Sequence, residues 1–208
     1  MCIRDSAYTA HHLSDTTPHL ENILTACKSA GNPDRVFLFG STSKITFASA
    51  GIAMMGGSEA NMDWMRSHWK MQNIGHDKMN QLRHIRFFKS MDGIRNHMKK
   101  HAAILRPKFD KVLSVLEKEL GGSGMATWNN PQGGYFINLN TRPNRAKRVV
   151  QLAAEAGVKL TGAGAAFPYR NDPEDRNIRI APSLPSLEDL GKATEILAVC
   201  IQLADQEI

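Results

Sequence analysis

The sequence predicts an α/β protein in which short buried strands alternate with amphipathic helices, and three observations carry this prediction. The run Val36–Phe39 is wholly apolar, which is typical of a strand covered on both faces in a parallel sheet. Apolar residues recur at steps of three and four between positions 79 and 98, the spacing of one helix face. Near the carboxyl end, Ser186–Asp189 has the pattern of a capping box and should open a last helix.

Turn and capping signals set the bounds of the elements in the first part of the chain. A helix is expected over about 20–30, because the Gly-Asn-Pro sequence at 31–33 is a strong stop signal. A second buried strand is expected within 48–57, where small and apolar residues end in a glycine turn. Ser58 is then placed to cap a helix that runs to about Asn73.

Two long helices are expected in the middle of the chain. One face of the first would consist of Met79, Leu82, Ile85, Phe88, Met91, Ile94 and Met98. The second is expected over about 108–120, before a glycine-rich sequence. Two basic helices in succession look like a connection between domains. We therefore assign residues 1–95 to the remainder of a large domain, including the start of the interdomain helix, and 96–208 to a small carboxyl-terminal α/β domain.

The carboxyl-terminal part alternates strands and helices. Strands are expected at 134–139, 158–160 and 177–181. A helix is expected over 145–156, and Gly157 should end it. The last helix should turn three apolar side chains inward, Leu190, Leu197 and Ile201.

Composition and charge exclude several classes of protein. The 208 residues carry a net charge of +6, and most of the excess lies between positions 78 and 111. Such a surface could favour nucleic acid or acidic small substrates, but a solvated helix face explains it more simply. A nucleic-acid partner is disfavoured because no recognisable nucleic-acid module accompanies the charge. No apolar run approaches the roughly 18 residues that cross a bilayer, so no membrane partner is expected.

The cysteines and the start of the chain bear on location and completeness. Cys2, Cys27 and Cys200 are odd in number and far apart, which fits neither a disulfide framework nor a zinc site. With no visible secretory signal, a reducing cytoplasm is the simplest location. Residues 1–6 lead directly into what looks like the middle of a domain. We expect them to include non-native residues and the chain to be a fragment.

The histidines do not form a credible metal site in the sequence. His97 and His101 have the four-residue spacing that can bind a metal on a helix. Two lysines lie between them and disfavour another cation, so we interpret the pair as part of a solvated helix face. His11 and His12 lie near Tyr8 and are equally explained as a loop pair.

Lys44 is the strongest candidate for a chemical role. It follows the apolar strand and lies in a turn of small hydroxyl residues, Ser41–Ser43. A lysine at the mouth of a buried strand can lose solvation, which favours the uncharged and nucleophilic amine. Hydroxyl and backbone donors of the turn could bind a phosphate. From the residues alone, an ordinary solvated loop lysine remains the alternative.

Four segments in order resemble motifs of the fold-type-I, pyridoxal-phosphate (PLP) dependent aminotransferases. They are the Asp-x-x-Tyr of Asp5–Tyr8, the Ser-x-Ser-Lys of Ser41–Lys44, the Pro-x-Gly-Gly-x-Phe of Pro131–Phe136 and the arginine strand Asn177–Ala181. The sequences Ser-Lys-Ile-Thr-Phe and Arg-Ile-Ala-Pro-Ser are similar to those of a bacterial aspartate aminotransferase-like subgroup of class I. The resemblance implies the carboxyl-terminal part of a large PLP-binding domain with a mostly parallel sheet, followed by a small α/β domain.

The resemblance also implies roles for residues around the cofactor. Lys44 would form the Schiff base with PLP and later shuttle the substrate proton. Asp5 would keep the pyridine nitrogen protonated, and Tyr8 would donate to the ring oxygen. Ser41 and Ser43 would hold the phosphate. For Tyr8 a packed core tyrosine is the alternative, and Asp5 lies within the suspect opening residues.

Two further positions follow from the same resemblance. Arg179 would clamp the substrate α-carboxylate through two parallel hydrogen bonds, which a lysine could not imitate. The alternative for Arg179 is a surface ion pair with Glu174 or Asp175. Many relatives place a phosphate-binding arginine eight residues after the lysine, where this chain has Ile52. Other donors would have to replace that arginine.

The implied function is a transaminase that moves an amino group between an amino acid, with aspartate as the leading donor, and a 2-oxo acid. Relatives work as homodimers that complete the site across the interface, so the fragment alone should bind PLP poorly and have little activity. The alternative from another class is the aminotransferase-like, PLP-binding effector domain of a winged-helix transcription regulator. A PLP-dependent β-lyase would use the same lysine and arginine.

Overall fold

The computed structural model describes residues 2–14 and 19–207, with residues 2–5 described by their backbone alone. The chain divides into two compact units, Met1–Lys100 and His101–Ile208. Whether these units correspond to the large and small domains of the family stays a prediction. Within the described residues, no helix combines the length and apolar character needed to cross a membrane.

The first unit contains a three-stranded sheet. Its strands are β1 (Cys2–Asp5), β2 (Val36–Ser41) and β3 (Ala53–Gly56), in the order β1-β2-β3. β1 runs parallel to β2, and β3 runs antiparallel to it. The apolar run predicted as a strand is confirmed, and Val36 and Phe37 are buried. The second strand is shorter than the expected 48–57, because the residues up to Ile52 belong to a loop that folds back on Thr42.

Two helices of the first unit begin at a side-chain cap, and one of these caps was predicted. α1 (Ile23–Ser29) starts three residues later than expected, where the Asn22 side chain accepts from the Leu24 N–H at 3.0 Å. α2 (Glu59–Gln72) begins after Ser58, whose hydroxyl accepts from the Asn61 N–H at 3.2 Å. The cap prediction for Ser58 is therefore confirmed. A short 3-10 turn, Pro33–Arg35, leads from α1 into β2.

The long helices differ from the prediction. α3 (Lys78–Phe88) ends early, and α4 (Met91–Leu120) runs without interruption through Pro107. Between them Lys89 has φ +62, and the Ser90 N–H donates to the Phe88 carbonyl at 2.7 Å. Phe88 and Met91 lie on either side of this break and are still three residues apart, as on a continuous helix. The spacing of apolar residues therefore could not reveal the break. Met79 and Met91, which belong to the predicted apolar face, are 74% and 64% exposed, so this face is not buried as a whole.

Within the described residues, the second unit contains the larger part of α4, two further α-helices and an antiparallel sheet. Its elements are β4 (Ala126–Trp128), β5 (Ile137–Thr141), α5 (Ala146–Glu155), β6 (Asn177–Ile180) and α6 (Leu187–Gln206), with the strand order β4-β5-β6. The prediction missed β4, because three residues beside glycines show no periodicity. The predicted strand 158–160 is wrong. The Val158 N–H instead donates to the Ala153 carbonyl at 2.8 Å and helps to close α5.

The core of the second unit follows the strand and helix periodicities. Ile137 and Leu139 of β5 are fully buried, while the intervening Asn138 is exposed, so one face of the sheet is apolar and the other polar. The three α6 side chains predicted to point inward are buried, which confirms the prediction for Leu190, Leu197 and Ile201. The Ser186 hydroxyl accepts from the Asp189 N–H at 3.1 Å and opens α6 as predicted.

The break between α3 and α4 generates a stability prediction at Gly93. Helix propensity alone predicts that Gly93→Ala stabilises α4 by about 1 kcal/mol. A Cβ at this position would overlap the Phe88 carbonyl oxygen, so we expect the opposite sign and a loss of about 2 kcal/mol in the free energy of unfolding. Urea denaturation followed by circular dichroism measures it. Gly75→Ala, where a Cβ would meet nothing within 4 Å, is the control, and equal stabilities of the two variants would contradict the prediction.

Candidate active site

The carboxyl ends of the two parallel strands bring the first group of predicted site residues to one edge of the sheet. β1 ends at Asp5, which is in register with Phe39, and the Ser6 N–H continues the pairing by donating to the Phe39 carbonyl at 2.8 Å. The turn that holds Tyr8 and the turn that holds Lys44 therefore leave the sheet at the same edge. Ligands of α/β proteins bind at this edge. The Asp5 side chain lies outside the described residues.

Lys44 lies in a loop whose ends are bonded to each other. The Thr42 N–H donates to the Ile52 carbonyl at 2.8 Å, and the Ile52 N–H donates to Thr42 Oγ1 at 2.8 Å. Inside the loop, the Ile45 and Thr46 N–H groups both donate to the Thr42 carbonyl, at 2.9 and 3.0 Å. The Lys44 residue itself is exposed. The backbone at Lys44 is thus fixed, while its side chain faces the surface of this unit.

Three imidazoles contact the loop beside Lys44. His11 Nε2 donates to the Lys44 carbonyl at 3.0 Å, and His97 Nε2 donates to the Ile45 carbonyl at 2.8 Å. His84 Nε2 lies 3.1 Å from the Thr42 hydroxyl and 2.9 Å from the Thr46 hydroxyl. The interpretation of His97 as part of a solvated helix face is wrong, because its ring is half-buried and bonded to this loop. No signal in the sequence could have assembled histidines that are so far apart along the chain.

Tyr8 reaches the same group through His11. Its ring packs edge-on against the His11 ring, with 5.7 Å between the centroids. His11 is 3% exposed, and burial lowers its pKa below the usual value, although backbone bonds to Lys44 and Tyr8 oppose the shift. His11 is therefore neutral near pH 7 and donates from Nε2. The interpretation as a simple loop pair with His12 does not describe this buried contact.

Ser41 and Ser43 offer hydroxyls at the same edge. The Ser41 hydroxyl accepts from the Ser43 N–H at 3.3 Å, and within the described residues its own hydrogen meets no acceptor. Gly51 approaches so closely that a Cβ there would lie 2.6 Å from Ser43 Oγ. The loop thus leaves room for the serine hydroxyls only because residue 51 is glycine. A hydroxyl with a spare hydrogen beside an exposed lysine fits an anionic ligand such as a phosphate.

Arg179 lies in the second unit, on the polar face of β6. Its guanidinium carbon stands 4.4 Å from the centre of the Phe136 ring, so two of the recognised motifs meet. The Glu174 carboxylate instead pairs with Arg176 at 2.8 Å, and an Asp175 oxygen accepts from a backbone N–H. Across residues 2–14 and 19–207, Arg179 forms no ion pair, and its buried Nε has no hydrogen-bond partner. The surface ion pair considered for Arg179 is therefore not formed, and its fork can still bind a carboxylate.

A group of asparagines, absent from the sequence prediction, surrounds this arginine. Asn138 of β5 is directly opposite Arg179, and Asn177 precedes Arg179 by two residues on the same face. The Asn177 side-chain amide donates to the side-chain oxygens of Asn138 at 2.5 Å and of Asn140 at 2.9 Å. Asn177 is 4% exposed, and its Oδ1 finds no partner among the described residues. The sequence shows these asparagines, but it does not show that they are neighbours, because that depends on the pairing of β5 with β6.

Comparison with known proteins places the whole chain in one family. The family model described as Aspartate amino-transferase matches residues 1–208. An aspartate aminotransferase of Corynebacterium glutamicum is 47% identical over 203 residues, which cover 98% of this chain and 47% of that protein. The crystal structure of an aspartate transaminase from the same organism superposes with a TM-score of 0.93 at 47% identity, covering 97% of this chain and 48% of that one.

More distant matches share the fold at lower identity. The structure of α-aminoadipate aminotransferase from Thermus thermophilus, in complex with N-(5′-phosphopyridoxyl)-L-leucine, superposes with a TM-score of 0.79 at 17% identity and covers 99% of this chain and 51% of that one. An HTH-type transcriptional regulator of Bacillus subtilis is 25% identical over 201 residues, 96% of this chain and 39% of that protein.

The chain spans about half the length of the curated relatives it matches. The match to the family model nevertheless runs from the first residue to the last. The α/β fold, the superposition on an aspartate transaminase and the sequence identity agree. The chain belongs to the Aspartate amino-transferase family.

Proposed function

We propose that the chain is the carboxyl-terminal part of a PLP-dependent transaminase that exchanges an amino group between an amino acid and a 2-oxo acid. The observation that carries the proposal is the loop at Lys44. Its ends are bonded to each other through Thr42 and Ile52, and two of its carbonyls accept from the His11 and His97 imidazoles. The His84 imidazole contacts its Thr42 and Thr46 hydroxyls, and the exposed Lys44 lies at the carboxyl edge of parallel strands. A residue that carries a cofactor needs this combination of a fixed backbone and an accessible side chain.

Lys44 would hold PLP through its amine and, once displaced by an amino acid, would move the substrate proton. Bound PLP supplies an electron sink that stabilises the negative charge left when the α-proton of an amino acid leaves. The Lys44 amine is the group of this loop that can accept that proton, since the nearby hydroxyls are much weaker bases. The bonds from Thr42, His11 and His97 hold the loop that carries it.

The residues near Lys44 fit the remaining needs of PLP only in part. The Ser41 and Ser43 hydroxyls would bind the phosphate, and Tyr8 lies at the same edge to donate to the ring oxygen. Asp5, whose backbone ends β1 there, would favour a protonated pyridine nitrogen. The position of the arginine found in many relatives is Ile52, whose backbone is used to close the loop. We therefore propose that part of the phosphate site comes from residues beyond this chain.

Arg179 would bind the α-carboxylate of the substrate. The Arg179 guanidinium lies over the Phe136 ring. This contact supports the guanidinium and leaves its N–H groups unoccupied by the ring. Among the residues described, the Arg179 Nε has no hydrogen-bond partner, and no acidic side chain bonds to the guanidinium. The guanidinium could therefore bind a carboxylate. Two parallel N–H bonds would orient an amino acid and a 2-oxo acid in the same way, as a transaminase requires.

The finer assignments rest on the relatives. Aspartate is proposed as the amino donor from the 47% identical aspartate aminotransferase. The described residues themselves do not identify a cationic group that would bind the aspartate side chain. A homodimer that completes the site and a cytoplasmic location are proposed on the same footing, and the free thiols of Cys27 and Cys200 agree with a reducing compartment. The regulator is the weaker alternative, since that relative is only 25% identical. A β-lyase would be distinguished by the release of ammonia and pyruvate.

The role of Lys44 is tested on the full-length protein that contains this chain. Incubation with PLP should produce a visible absorbance band that is lost in Lys44→Ala, and transfer from aspartate to 2-oxoglutarate should fall about 1,000-fold. Lys28→Ala, which removes an exposed lysine of α1, should change neither readout. A band that persists without Lys44 would contradict the assignment. A band without transfer from any amino acid would favour the regulator.

The second expectation concerns the 208 residues by themselves. They match about half of each relative, and Lys44 is exposed, so PLP should bind at least tenfold more weakly than to the full-length protein. Titration with PLP, followed by absorbance and by the circular dichroism of the bound cofactor, measures both affinities. Equal affinities would show that the phosphate site is complete within these residues.

The proposed carboxylate clamp predicts a specific loss in Arg179→Lys. A lysine cannot form two parallel bonds, so KM for both the amino acid and the 2-oxo acid should rise about 30-fold, which corresponds to about 2 kcal/mol. The PLP absorbance band should stay unchanged. Arg170→Lys, at an exposed arginine of the same unit, is the control. A change in kcat with unchanged KM would exclude the clamp.

A further inference from the structure

Three histidines from three separate parts of the chain contact the segment Thr42–Thr46, through its carbonyls and its threonine hydroxyls. His11 follows β1, His84 belongs to α3, and His97 belongs to α4. Together they make four contacts of 2.8 to 3.1 Å with this segment, two to carbonyl oxygens and two to threonine hydroxyls. None of these contacts involves the Lys44 amine. The imidazoles thus contact the carbonyl oxygens and threonine hydroxyls of the loop.

The protonation of His84 follows from its partners. Its Nδ1 lies 2.9 Å from the Asn80 carbonyl, which can only accept, so Nδ1 carries the hydrogen. In the neutral ring Nε2 is then an acceptor with one lone pair, and it lies within hydrogen-bond distance of both the Thr42 and the Thr46 hydroxyl. The Thr46 hydroxyl also lies 3.1 Å from the Thr42 carbonyl oxygen, so its one hydrogen is shared between these acceptors. The Thr42 hydroxyl oxygen also accepts from the Ile52 N–H. His84 therefore links helix α3 to Thr42 and Thr46, which lie on either side of Lys44 in the chain.

Aromatic side chains hold two of the imidazoles in place. The His84 ring packs edge-on against Phe47 at 5.6 Å, and the His97 ring against Phe87 at 5.3 Å and Phe88 at 5.6 Å. His11 and His84 are 3% and 5% exposed, so their bonds are shielded from competing water. Packing explains why the rings are buried. It does not explain why a ring nitrogen meets a loop oxygen in each case.

We propose that His11, His84 and His97 are positioning residues that clamp the Thr42–Thr46 backbone so that the Lys44 amine is presented in one geometry. Presentation of the Lys44 amine to PLP rests on the proposed function. The hydrogen bonds that hold the loop do not depend on that function. Loss of one such bond should make local opening of the loop about tenfold more frequent. An amine on an opening loop would react with PLP more slowly, because fewer molecules present it in the productive position.

Substitutions at His97 test the clamp with the least risk to folding, since this ring is half-buried. His97→Leu keeps an apolar side chain of similar size but removes the donor, whereas His97→Gln can still donate from its amide. Thr46→Val keeps the shape of the side chain but removes the hydroxyl that contacts His84 and the Thr42 carbonyl, so it tests this hydroxyl network as a whole. His68→Leu is the control, because the His68 bonds stay within α2.

The first readout is hydrogen exchange of the Ile45 and Thr46 amides in the cofactor-free full-length protein. Both amides are bonded to the Thr42 carbonyl, so they report opening of the clamped segment. Exchange should rise about tenfold in His97→Leu and in Thr46→Val, and it should stay near the original rate in His97→Gln and His68→Leu. Unchanged exchange in His97→Leu, or an equal rise in His97→Leu and His97→Gln, would overturn the proposal, because the ring would then act by packing alone.

The second readout is the rate at which PLP is trapped on Lys44 by borohydride reduction, measured by the mass of the peptide that contains it. Trapping should slow severalfold in His97→Leu and recover in His97→Gln. Unchanged trapping in a variant with faster exchange would overturn the positioning role. If the unsubstituted protein traps no PLP at Lys44, the proposed function fails. The exchange result then still decides the clamp, so the two failures are distinguishable.

Discussion

The two hydrogen bonds between Thr42 and Ile52 are the constraint on which the arrangement of the first unit depends. One joins the Thr42 N–H to the Ile52 carbonyl and the other joins the Ile52 N–H to the Thr42 hydroxyl, both at 2.8 Å. They close the chain between the end of β2 and the start of β3. Because the loop is closed at the sheet, its backbone has fewer conformations available. The bond from His11 to the Lys44 carbonyl also holds Lys44 near the turn that carries Tyr8.

The same closure explains how an exposed lysine can still be ordered. Order at Lys44 comes from the backbone, through donors that satisfy the Thr42, Lys44 and Ile45 carbonyls. The Lys44 side chain takes part in none of these bonds, and the residue is exposed. Separating the anchored atoms from the reactive atom is a general way to build a precise site on a loop, which would otherwise be mobile.

In the second unit, the Arg179 side chain lies on the polar face of a sheet. The apolar face of β5 and β6 supplies the core, and the alternate residues supply a polar face with Asn138, Asn177 and Arg179. The Phe136 ring supports the guanidinium without consuming its N–H groups. The strand register places Asn138 and Asn177 on the same face as Arg179, and the Asn177 amide bonds to the side chains of Asn138 and Asn140.

By itself the sequence determined the local features, namely the apolar strand at Val36–Phe39, the caps at Ser58 and Ser186, and the motifs that contain Lys44 and Arg179. These depend on neighbours a few residues apart, so their signals survive in a linear pattern. Only the tertiary structure decided the break at Lys89, the strand β4, the histidine contacts and the asparagine group. The hydrogen bonds that mark the Lys89 break are local, but the linear pattern of apolar residues does not show them. The strand β4, the histidine contacts and the asparagine group depend on strand register or on residues up to 52 positions apart, such as His97 and Ile45, and such contacts form only once the packing of the chain has brought those residues together.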